Sequence, residues 1–115
     1  MKGEDILYRE SKNDGQTVHL YYNRQIGMYT AYGLSAFYAD HVSSSILSYS
    51  DNLQLPVALL NRRDVLGLRQ SMTVKEHESF SYYRLMAKEP MGTEGYENWL
   101  AKIGKTTFAA KPAEE

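Results

Sequence analysis

The chain has no cysteine. That excludes disulfides and thiolate metal sites, and it accords with a reducing compartment. It opens Met1-Lys2-Gly3-Glu4-Asp5, with acids where a secretory signal needs a basic and then an apolar run, and no apolar run reaches the length of about 18 residues that a membrane span requires. A soluble, cytoplasmic protein with no membrane partner is expected. Charge of one sign is also missing: 13 basic residues face 14 acidic ones, for a net charge of -1. No global field attracts a polyanion, so strong nonspecific binding of nucleic acid is not expected. There is no internal repeat, no low-complexity segment, and no nucleophile elbow of the Gly-x-Ser-x-Gly kind.

What the sequence does have is length for one core and a wealth of tyrosine. Its 115 residues suit a single domain, placed at 1-104, followed by a tail, 105-115, that lacks a periodic apolar set. Five of the ten tyrosines fall within Tyr21 to Tyr38, in the stretch YYNRQIGMYTAYGLSAFY.

Ile6, Tyr8 and Glu10 alternate with Leu7, Arg9 and Ser11, turn residues Asn13-Asp14-Gly15 follow, and Thr17 to Tyr22 alternates again, a pattern that predicts a β-hairpin. Val18, Leu20 and Tyr22 make its core side, with His19 and Tyr21 on the other. A turn at Asn23-Arg24-Gln25 leads to a third strand over Met28 to Tyr32. Leu34, Phe37, Tyr38 and Val42 then fall at helical spacing, predicting a helix over 34-44 that Ser43-Ser44-Ser45 ends, and a short strand follows over Ile46 to Ser50.

Leu55 to Leu60 is an apolar run of strand length, with Pro56 expected near its start or on an edge. Asn61 suits an N-cap, with Asp64 at the third helical position, and Val65, Leu68 and Met72 line a buried stripe of a helix over 62-71. Thr73 to Ser79 is charged and ambiguous, whereas Phe80 to Ala87 alternates as a strand. Tyr96, Trp99, Leu100 and Ile103 mark a last short helix that Gly104 is expected to end. Together these elements predict an α+β fold: a mixed, mostly antiparallel sheet of five or six strands carrying two to three helices.

Chemistry has few footholds. Asp40-His41 before three serines has the residue types of a hydrolase, but adjacent helical residues point about 100° apart, so Asp40 is badly placed to orient His41. Glu76-His77-Glu78 offers metal-ligand types, yet neighbours diverge in any regular backbone and His19 and His41 have no i,i+4 partner. No cofactor, no metal site and no enzymatic activity are expected.

Arg62, Arg63 and Arg69 form a modest basic strip that suits either phosphate contacts or an ordinary solvated helix face. The tyrosines allow three readings. They can stack on unpaired bases, core a protein interface, or pack half-buried at a sheet rim.

Read in order, Leu20-Tyr21-Tyr22, then Gly27-x-Tyr29-x-x-Tyr32-Gly33-x-Ser35-Ala36, Leu55-Pro56-Val57-Ala58, and the strand around Tyr82 to Leu85 resemble the N-terminal domain of MutS-type mismatch-repair proteins over residues 18-87. Similar domains look familiar from mobile elements of gut bacteria. In the family a Phe and a Glu contact the mismatched base, and Met28 and Thr30 stand at those positions here. The resemblance thus implies the scaffold and an association with DNA or a nucleic-acid-processing complex, without the base-contacting pair. The residues singled out as contacts are Tyr21, Arg24, Met28, Tyr29, Arg62, Arg63 and Arg69. The alternative is a protein-interaction or homodimerisation module.

Overall fold

A computed structural model describes residues 3-42, 46-78, 81-90 and 92-109. Its elements in chain order are α1 (Gly3–Ser11), β1 (Thr17–Asn23), β2 (Met28–Tyr32), α2 (Leu34–Val42), β3 (Ile46–Ser50), β4 (Leu55–Leu60), α3 (Arg62–Ser71), β5 (Thr73–Glu78), β6 (Tyr82–Met86) and α4 (Tyr96–Ala109). After α1 the order is β-β-α three times over. All strand pairs are antiparallel and form one six-stranded sheet in the order β3-β4-β2-β1-β6-β5. The fold is α+β as expected, with four helices rather than two to three.

The extra helix corrects the first hairpin. Residues 6-11 are not a strand; they belong to α1. Ile6 is buried and Arg9 and Glu10 are half-buried, at helical spacing, while Leu7 and Tyr8 are left exposed. The partner of β1 is β2, joined through the turn 24-27, where the Gly27 amide bonds Asn23 O and the Asn23 side chain accepts from Gln25 N. Gly27 adopts φ +66, a conformation that favours glycine.

One face of the sheet holds the larger core. Val18, Leu20, Ala31, Ala58, Leu60 and Leu85 pack against Ala36, Phe37 and Ala39 of α2 and against Val65 and Leu68 of α3. Most of these residues are fully buried, and each large aliphatic side chain among them stabilises by about 1.5–3 kcal/mol. Tyr96 and Trp99 of α4 close this layer over Phe37. The alternation that put Val18, Leu20 and Tyr22 on the core side is correct.

The opposite face is buried as well, which alternation alone does not reveal. Thr17, His19 and Tyr21 are each at most 6% exposed, because α1 lies over them and Ile6 packs with Tyr21 and Tyr82. The Arg9 guanidinium stacks 4.4 Å from the Tyr82 ring centroid, a geometry in which a cation meets the negative face of the ring. His19 Nδ1 and Tyr82 Oη share a 2.8 Å hydrogen bond.

At the end of the sheet α1 is tied to α2. Glu10 Oε2 accepts from Ser35 Oγ at 2.5 Å and Glu10 Oε1 from Ser35 N at 3.1 Å, so the carboxylate caps the α2 N-terminus across 25 residues. Gly33 allows this closeness. Its φ is +59, and a Cβ there would stand 3.4 Å from Glu10 Oε1.

Of the remaining elements, β4 and α3 meet expectation, the ambiguous segment resolves, and α4 differs. Pro56 is near the start of β4, and α3 spans 62-71 with Asn61 and Asp64 forming a reciprocal capping box. The ambiguous charged segment is β5, an edge strand with an irregularity between Val74 and Glu76. Gly104 does not end α4, which continues to Ala109; one glycine costs a helix about 1 kcal/mol, too little to stop it. Ser43-Ser44-Ser45 and Phe80 lie outside the described residues.

The half-buried Glu10 and the buried His19 make stability depend on pH in two opposite ways. Burial pushes Glu10 up to about 7 against the opposing hydrogen bonds of Ser35, Asn13 and Leu34. Its contribution is complete below its ordinary 4.5 and is lost as pH climbs towards 7. Burial, with Arg9 and Arg84 nearby, drives His19 down to about 4, so its contribution is complete above the ordinary 6.5 and is lost as pH falls towards 4. Urea unfolding across this range should show Glu10→Gln freed of the loss on raising pH, and His19→Gln freed of the loss on lowering it. Parallel profiles for both variants and the wild type would contradict the burial of these two groups.

Candidate functional site

Helix α3 is positioned from its ends inward. Asn61 Oδ1 accepts from Asp64 N at 2.8 Å and Asp64 Oδ2 accepts from Asn61 N at 3.2 Å, fixing the first turn. Val65, Leu68 and Met72 turn to the sheet, each no more than 6% exposed. At about 100° per residue, Arg62, Leu66 and Arg69 then share one stripe along the rim, and Arg63 points away from it. All four are exposed.

Beneath that stripe the sheet presents rings. Tyr29 on β2 and Tyr83 on β6 lie on the helix-covered face with centroids 5.9 Å apart. Tyr22 meets Tyr29 edge-on at 5.1 Å, and His77 of β5 flanks Tyr83. The Arg69 guanidinium lies 5.0 Å over the Tyr83 ring, with Nη1 in a long 3.5 Å contact to Tyr83 Oη. Arg62, Val65, Leu66 and Arg69 form one wall of a groove of about 410 Å³, and the edges of Tyr29 and Tyr83 form the other.

The rings are walls rather than platforms. Tyr29 is 4% and Tyr83 8% exposed, so neither presents a face on which a base can stack. Burial, reinforced by Tyr83, raises Tyr29 above the ordinary phenol range, and Arg62 partly offsets this. The groove offers the two guanidinium groups of Arg62 and Arg69, with the Tyr29 phenol held uncharged at neutral pH. Arginines over aromatic rims suit the planar oxygens of phosphate or carboxylate.

Of the residues singled out from sequence, Tyr29, Arg62 and Arg69 come together and the others do not. Tyr21 is on the opposite face, buried under α1 between Tyr32 and Tyr82. Its hydroxyl lies by Arg9 without a hydrogen bond of good geometry, and burial raises its pKa. Arg24 is exposed in the β1–β2 turn and lines a separate groove with Tyr21 and Tyr32. Met28 is half-buried at the start of β2, and Arg63 is exposed but outside the α3 groove. Tyr83 was not singled out; it shares the face of Leu85 on β6 and belongs to the larger core cluster.

The side chains of the two motifs with catalytic or metal-ligand residue types make local contacts. Asp40 Oδ2 accepts from Trp99 Nε1 at 3.0 Å and His41 Nδ1 bonds Phe37 O at 2.9 Å, which joins α2 to α4 and secures the α2 C-terminus. Glu76 pairs with Arg84 at 3.2 Å on the α1 side of the sheet, whereas His77 faces Tyr83 on the other. Among the described residues no three His, Asp or Glu side chains gather as a metal site, and no helix is long and apolar enough to cross a membrane. A wider hollow of about 540 Å³ between α2 and α4 has Phe37 and Trp99 in its wall and Glu94 and Lys102 at its rim, a mixed-charge setting with no convergent set of like donors.

Comparison with protein-family models, with curated proteins and with solved structures finds no match for this chain.

The structure separates one reactive tyrosine from a protected set. Treating the native protein with tetranitromethane and mapping nitration by mass spectrometry should modify Tyr8, 65% exposed, well before Tyr21, Tyr29, Tyr38 or Tyr82, none above 4%. Modification of Tyr29 as fast as Tyr8 in the folded protein would mean that its ring is an accessible surface after all.

Proposed function

We propose that this domain is a noncatalytic α+β module that associates with nucleic acid through its phosphate backbone, by way of the α3 groove. The observation that carries the reading is the convergence of Arg62 and Arg69 on one groove against Tyr29 and Tyr83. Arg62 and Arg69 lie two turns apart on a capped helix and line the same groove, where each can meet an anionic oxygen. The buried Tyr83 ring backs Arg69, and neither buried ring reads bases.

The resemblance to the N-terminal domain of MutS-type proteins supports the same direction, because it implies an association with DNA. It does not bring mismatch recognition. Thr30, at the position of the family's base-contacting Glu, is 3% exposed and hydrogen-bonds Tyr21 O, and Met28, at the position of the Phe, has no aromatic ring. With a net charge of -1 there is no long-range attraction to supplement the groove, so binding is weak, sequence-tolerant and strongly dependent on salt.

Titration of labelled duplex and single-stranded DNA at several low salt concentrations tests this. Each phosphate contact adds about one unit to the slope of log K against log salt. The Arg62→Ala/Arg69→Ala variant should therefore bind more weakly and lose about two units of slope, while Arg63→Ala, outside the groove, should behave as wild type. Absence of binding to either DNA at low salt, or equal losses from Arg63→Ala, overturns the assignment.

A further inference from the structure

The two edges of the sheet are built differently. β5 is a guarded edge: its register breaks at Lys75, between Val74 and Glu76, and Lys75, Glu76, His77 and Glu78 are all exposed along it. Irregularity and charge of this kind keep an edge from pairing with another strand. β3, Ile46-Leu47-Ser48-Tyr49-Ser50, has none of these devices. It is uncharged, contains no proline or glycine, and keeps an unbroken five-residue register with β4, and its other side pairs with no strand among the described residues. Ile46 at its start is 62% exposed.

We propose that β3 is the interface of a symmetric dimer, in which two copies pair β3 to β3 antiparallel and join their sheets into one. An edge strand offers backbone donors and acceptors in alternation, so its partner is another strand. The sequence favours a second copy as that strand. In a two-fold antiparallel pair whose axis runs perpendicular to the sheet, opposite residues must point to the same face, so one residue faces itself. With Ser48 on the axis, all five residues pair: Ile46 with Ser50, Leu47 with Tyr49, and Ser48 with Ser48. Leu47 and Tyr49 are on the helix-covered face by alternation, which gives two aliphatic-aromatic cross-strand pairs related by the axis. No charge meets its like. Such a contact is isologous and closed, so assembly stops at two.

This arrangement leaves both α3 grooves on the same side of the joined sheet and does not use them. Failure of the dimer and failure of the anion groove are therefore distinguishable.

Sedimentation equilibrium across the micromolar range should find the wild type in monomer-dimer exchange. Ser48→Lys, which apposes two ammonium groups on the axis, should weaken dimerisation about tenfold or more, with an unchanged circular dichroism spectrum. Because the chain has no cysteine, Ser48→Cys carries a single thiol facing its copy. Under mild oxidation it should form a covalent dimer much faster than Ser71→Cys, an exposed position on α3, and this reading holds even if Ser48→Lys fails to fold. A wild type that stays monomeric throughout overturns the proposal and leaves the edge to a strand of another protein. Equal crosslinking of the two cysteine variants overturns it too.

Discussion

The structure depends on burying β1 on both faces. Val18 and Leu20 point into the layer of α2 and α3, while Thr17, His19 and Tyr21 point the opposite way and are almost as inaccessible. A strand in the middle of a sheet with polar groups on one side needs partners for those groups, since an unpaired buried donor or acceptor costs about 1–3 kcal/mol. Here α1 provides cover and neighbouring residues provide partners for all but the Tyr21 hydroxyl: Tyr82 for His19, Asp14 for the Thr17 hydroxyl, and Ser35 for the His19 amide. The half-buried Glu10 carboxyl then reaches around the sheet end to α2, so the helices on the two sides are linked through one acid.

That constraint also decides what the aromatic residues do. Tyr21 and Tyr82 serve the α1 side and Tyr29, Tyr38 and Tyr83 the other, each with its ring packed. A tyrosine-rich sequence invites the idea of a surface that reads bases or partners. In this fold those five rings are taken up in closing both layers, while Tyr8 stays on the outer side of α1 and Arg69 of the exposed α3 stripe lies over the Tyr83 ring. Any recognition by this groove works through charge and hydrogen-bond geometry, which suits phosphate oxygens and discriminates little among bases.

Much of the fold is legible in the sequence where apolar period and end signals agree. α3 is the clearest case: Asn61 and Asp64 announce its start, and Val65, Leu68 and Met72 its buried stripe. β4 and β6 follow from apolar or alternating runs. α1 is not legible because its sheet-facing side is written in polar residues. Ile6 is its sole buried side chain, and the half-buried Arg9 and Glu10 pack as a stacked cation and a hydrogen-bond acceptor, so helical spacing leaves no apolar trace and the short alternation of Ile6 and Tyr8 looks like a strand. The site was half legible for the same reason. Alternation put Tyr21 on the side opposite Val18 and Leu20, but nothing in the pattern indicates that a helix covers that side or that Tyr29 lies on the other. The meeting of Arg69 with Tyr83 depends on β6 crossing next to β1, a long-range pairing that local pattern does not encode.

The cover that α1 gives to β1 is tested most directly at Ile6, 5% exposed against Tyr21 and Tyr82. Denaturant unfolding of Ile6→Ala at neutral pH measures what that contact is worth. With α1 docked as described, the substitution should cost about 2–5 kcal/mol, the usual range for truncating a buried aliphatic side chain. A change within about 0.5 kcal/mol, as for a surface position, would mean that α1 does not cover this face and that Tyr21 and Tyr82 are open to solvent and to partners.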